Sequence, residues 1–135
     1  MIKRSIGIAI CLAAWGVGAL SVSSGLAEAR KLMEFGNVSW EDEMTRIDYL
    51  ESKLREEPES IAYIIVYGGR RCAGRGEAEV RMACIKDYML KRRGVHADRI
   101  SIINGGYREE STVELWLAPR GENGPTADRQ SAQKM

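Results

Sequence analysis

Arg70, Arg71 and Arg75 lie close together, a few residues ahead of Glu77 and Arg81. Arginine's planar fork gives paired hydrogen bonds to a carboxylate or phosphate, so such a loop at the start of a helix would receive an anion. Glu77 precedes Arg81 by four residues, which sets both on one side of a helix. There the pair is either a carboxylate offered beside a ligand or an ordinary helix-stabilising contact of about 0.2–0.5 kcal/mol. The loop arginines are equally well served by Glu77, Glu79 or acids of the C-terminal segment.

Cys72 lies within this region and Cys84 just after it, and they form either one disulfide or two lone thiols. The single histidine, His96, sits outside any ligand-like spacing, so no metal is expected. It also has no serine or cysteine nucleophile in a recognisable motif. No nucleophile, base and orienting group can be assembled, and the chain is read as non-catalytic, with no cofactor.

These side chains need elements to hold them. Ser39 is placed to cap a helix running from Trp40 to about Glu56, with Asp42 in the N3 place, and Met44, Ile47, Leu50 and Leu54 share its core face. Ile61 to Tyr67 is a continuous apolar run stopped by Gly68-Gly69, as a strand buried on both faces requires. A second helix is expected from about Gly76 to Arg93, with Ala78, Met82, Ile85 and Met89 as its stripe and Gly94 as its C-terminal cap. Arg99 to Ile103 reads as a short strand, Asn104-Gly105-Gly106 as a turn, and Thr112 to Leu117 as an alternating strand with Trp116 opposite the core positions. The expected fold class is α+β: a two-layer sandwich in βαβαββ order, with two helices on one face of a mixed sheet. Residues 119–135 have no periodicity and are expected to form a disordered tail.

The first 29 residues carry a separate message. Lys3 and Arg4 precede an apolar run from Ser5 to Val22, and Ala27-Glu28-Ala29 has the form of an A-x-A cleavage site. Residues 1–29 are therefore read as a signal peptide and 30–118 as one globular domain of periplasmic or otherwise extracytoplasmic location. Membrane attachment is expected only through an uncleaved signal anchor. Cleavage would remove Lys3, Arg4 and Glu28 from the 20 basic and 19 acidic residues, leaving 18 of each. A neutral domain gives no global case for nucleic acid or an anionic membrane. Cleavage would also remove Cys11, and the even count of two cysteines left in an exported chain favours a Cys72 to Cys84 bridge.

The run Ile64-Ile65-Val66-Tyr67-Gly68-Gly69, followed by Arg81-Met82-Ala83-Cys84-Ile85-Lys86-Asp87-Tyr88-Met89 and Arg93-Gly94-Val95-His96-Ala97-Asp98-Arg99-Ile100, resembles the OmpA C-terminal domain family. In that family a strand ends in G-H-T-D, a helix carries R-A-x-x-V-x-x-Y-L, and K-G-I-x-x-x-R-I follows. Gly105-Gly106 and Thr112-Val113-Glu114-Leu115 fall near two further motifs, so the resemblance spans roughly residues 31–119. It implies an envelope module that holds peptidoglycan through an aspartate and an arginine. Arg81 matches the arginine, but the aspartate position falls on Arg71, which inverts its charge. The resemblance therefore implies weak peptidoglycan binding dependent on Arg81. The alternative partner is another envelope protein or an anionic ligand, met through the basic loop or the sheet face around Trp116.

Overall fold

A computed structural model of the chain describes residues 28–71 and 76–127. Six elements follow in the expected βαβαββ order: β1 (Arg30–Phe35), α1 (Trp40–Glu56), β2 (Ser60–Gly69), α2 (Glu77–Asp87), β3 (Ile100–Arg108) and β4 (Thr112–Pro119). The four strands form one mixed sheet in the order β1-β4-β2-β3. β2 runs parallel to β3, while β4 is antiparallel to both β1 and β2. β2 thus lies inside the sheet, as its apolar run predicts.

Local chemistry sets the helix ends. The Ser39 hydroxyl accepts the Asp42 amide at 3.2 Å, fixing the start of α1. At its other end the Arg99 guanidinium donates to the carbonyls of Leu54, Glu57 and Ser60, which supplies partners for groups the helix leaves unpaired. Met44, Ile47, Leu50 and Leu54 are buried against Ala62, Ile64, Val66, Val113, Leu115 and Leu117 from the sheet and Ile85 and Met89 from the second helical segment. One core therefore lies between the helices and one sheet face.

Two expectations are corrected. The second helix does not stay α-helical to Arg93: Tyr88–Arg92 widens into a π turn, with the Arg93 amide donating to the Tyr88 carbonyl at 3.0 Å. Gly94, with φ of +67°, then closes it. Nor do Asn104-Gly105-Gly106 make a turn. β3 runs on through them to Arg108, and its register slips so that Val66 faces Asn104 while Tyr67 faces Gly106. Gly105 is the extra residue of a bulge, and the Tyr67 ring lies where its Cβ would go.

Part of the segment after β4 is also described, as far as residue 127. Pro119 ends β4, the Arg120 amide donates to the Glu59 carbonyl at 2.8 Å, and Gly124 lies against the Tyr63 ring. Gly124 and its neighbours thus lie on the sheet face turned away from the helices, beside Tyr63 and Trp116. Residues 128–135 and most of the expected signal peptide, 1–27, lie outside the described residues. No helix among the described residues is long and apolar enough to cross a membrane.

Candidate functional site

The end of β2, the start of α2 and the three-residue connection Glu109 to Ser111 between β3 and β4 converge. Gly69 makes this possible, because a Cβ there would stand 2.6 Å from the Ser111 amide nitrogen. Arg71 and Arg81 approach this connection from opposite sides, one from solvent and the other from the interior.

Arg81 is held within the fold. Its side chain is 10 % exposed and pairs through Nε with Glu43 at 2.7 Å, whose own side chain is 6 % exposed. One terminal nitrogen donates to the Ser111 hydroxyl at 3.0 Å and the other to the Gly36 carbonyl at 3.1 Å. The guanidinium also stands 5.8 Å from the centre of the Phe35 ring. Its ion-pair partner is thus Glu43 of α1, while Glu77 stands half-buried at the start of α2. All three guanidinium nitrogens serve to join α2 to α1, to the segment after β1 and to the approach to β4.

Arg71 is exposed and pairs with Glu109 at 2.7 Å and Glu110 at 3.2 Å. The Glu109 carboxylate accepts its Nε hydrogen bond, and both carboxylates hold its charge above its ordinary proton affinity. Two carboxylates beside Arg70 and Arg71 offset the positive charge expected at this spot. An approaching ammonium meets carboxylates beside the cation, and an approaching anion meets a guanidinium already engaged. Arg70 is exposed next to it, and its amide donates to the Arg108 carbonyl at 2.9 Å. Arg75 and Cys72 lie outside the described residues, so the loop cluster is placed only in part, and Cys84 carries no disulfide. Cys84 is an exposed free thiol beside a cavity of about 330 Å³ with Trp40, Asp87, Tyr88, Lys91 and Arg92. His96 is exposed near Arg93 and Arg99.

A second charged cluster occupies the other face of the sheet. Glu114, 3 % exposed, accepts hydrogen bonds from Lys31 and Arg108 on one oxygen, both at 2.8 Å. Its second oxygen accepts from the Trp116 indole at 3.0 Å and from the Tyr67 hydroxyl at 3.4 Å. Burial alone would raise its proton affinity, but the bonds from Lys31, Arg108 and Trp116 outweigh that and hold the carboxyl down at about 2. Such an anion is a poor proton acceptor at neutral pH, and its four donors make it a structural centre. Trp116 is half-buried here, with the Lys31 ammonium 5.1 Å from its ring centre and Glu122, Asn123, Pro125 and Thr126 nearby. Its face is covered in part by the chain's own C-terminal segment.

Sequence reasoning missed Glu43, Glu109, Glu110 and Ser111. One signal was available for Glu43. Arg81 falls on the apolar stripe of Ala78, Met82, Ile85 and Met89 by spacing, so it had to find a buried acid, and Glu43 stands one turn before Ile47 on the core face of α1. Among the described residues no three His, Cys, Asp or Glu side chains gather as metal ligands would. No protein-family model matches this chain, and no curated protein matches it.

Proposed function

We propose that this chain is an exported, non-catalytic OmpA-like binding module of the cell envelope in which the peptidoglycan grip is altered. The carrying observation is Arg81: the residue that matches the family's gripping arginine has all three nitrogens engaged by Glu43, Ser111 and Gly36. A diaminopimelate side chain carries both an ammonium and a carboxylate. On this surface the ammonium has Glu109 and Glu110 to meet, while the carboxylate has lost its fork. Binding through one end only is weak binding.

Sedimentation with purified cell walls at one fixed salt concentration tests this reading. Wild-type protein is expected to stay largely in the supernatant, with any pelleted fraction reduced by Glu109→Lys or Glu110→Lys. Strong pelleting of the wild type that Arg81→Lys abolishes, with the fold intact by circular dichroism, would return Arg81 to the family's role and overturn the altered grip. The rival role, recognition of an anionic ligand through the basic loop, is weakened at Arg71 by the same two acids.

A further inference from the structure

The two edges of the sheet are built differently. β1 carries Arg30, Lys31 and Glu34, and its register shifts between Lys31 and Met33. Charges and a bulge are what keeps an edge from pairing with another chain. β3 is the other edge, and Ile100-Ser101-Ile102-Ile103 has neither device before its bulge at Gly105. Among the described residues no strand pairs with its far side. Beside it α2 and its π turn wall a cavity of about 220 Å³ lined by Met82, Ala83, Lys86, Leu90, Ile100 and Ile102.

α2 runs antiparallel to β3, so its two ends mark the two ends of the strand. Glu79 accepts a hydrogen bond from Asn104 at 3.2 Å, while Lys86 lies beside Ile100. Both charges are exposed, and neither forms an ion pair among the described residues. The seven steps of helix from Glu79 to Lys86 span about 10.5 Å, and the four steps of strand from Ile100 to Asn104 span about 13 Å. The midpoints of the two segments, between Met82 and Ala83 and at Ile102, therefore lie side by side.

A two-fold axis perpendicular to the sheet beside Ile102 would pair β3 with its own copy, antiparallel. The same axis lays two α2 helices side by side in opposite directions on one face. It brings Lys86 of each copy to Glu79 of the other, twice, with Met82, Ala83 and Ile102 at the apolar centre. We infer that the β3 edge is a homodimer interface, joining two chains into a continuous eight-stranded sheet clamped by reciprocal Glu79 and Lys86 contacts. The surface is self-complementary in charge and in hydrogen bonding, as an isologous contact requires.

Sedimentation equilibrium on protein purified from cells expressing the full chain reads the result. Wild type is expected as a monomer–dimer equilibrium with no larger species. Glu79→Lys and Lys86→Glu each turn two attractions into two repulsions, so each weakens the dimer by about tenfold or more. The double exchange restores it. An equimolar mixture of the two single variants forms a heterodimer, because the repelled like charges of each find their opposites in the other. Both positions are exposed, and circular dichroism of each variant checks that the fold survives. A wild type monomeric to several hundred micromolar overturns the proposal, as does a dimer that all the variants leave unchanged or a mixture that fails to associate.

Discussion

Glu43 and Arg81 each sit nine-tenths or more inside the protein, and that changes what a single substitution means. Removing one member of a buried pair leaves the other charge without a partner, whereas replacing both with apolar groups of similar volume is often neutral. Arg81→Ala is therefore expected to cost about 3–5 kcal/mol, and the double variant Glu43→Met with Arg81→Met to recover most of that loss. Urea unfolding of the wild type and both variants measures it. A ligand-gripping arginine behaves otherwise, since truncating it harms binding and leaves stability nearly unchanged. A loss in Arg81→Ala below about 1 kcal/mol would therefore count against a structural role.

At the scale of elements, β2 shows how much a sequence states directly. Ile61 to Tyr67 has no polar residue on either side of the pleat, so a buried strand was legible, and so was the capped, three-and-four-spaced α1. The close approach that ends β2 was not. Gly68-Gly69 reads locally as a strand breaker, yet both residues remain in the strand, and Gly69 is glycine because the β3–β4 connection presses against it. Gly69→Ala places a Cβ 2.6 Å from the Ser111 amide, against backbone that cannot rotate away. Destabilisation of about 1–3 kcal/mol is expected, along with loosening of the Ser111 contact to Arg81, visible as faster amide exchange from residues 109–112. Gly105-Gly106 misled for the related reason that a bulge and a turn draw on the same residue type. The acids that partner Arg71 and Arg81 were hidden because they come from segments more than thirty residues away. Pairing over such distances depends on sheet order, which no local pattern states.

For the whole molecule, the outer sheet face is organised by one carboxylate that touches all four strands. Glu114 belongs to β4, Lys31 to β1, Tyr67 to β2 and Arg108 to β3, and Arg108 also stacks 3.7 Å from the Tyr67 ring centre. Strand alternation assigns Glu114 to the side away from the core, which suggests solvent; the four donors bury it instead. Its acidity then couples to folding with a definite sign. The folded carboxyl titrates at about 2 and an unfolded glutamate near 4.3, so the folded state binds fewer protons between those values. The stabilisation is full above about pH 5 and is lost as pH falls toward 2, amounting to about 3 kcal/mol at most. Urea midpoints measured from pH 7 down to pH 2.5 should therefore fall steeply in the wild type. Glu114→Gln should start lower at pH 7, because Lys31 and Arg108 lose their anion, and then fall less as the acid limit is approached. Parallel pH profiles for the two proteins would mean that other carboxylates govern acid unfolding and that the four-strand contact contributes little.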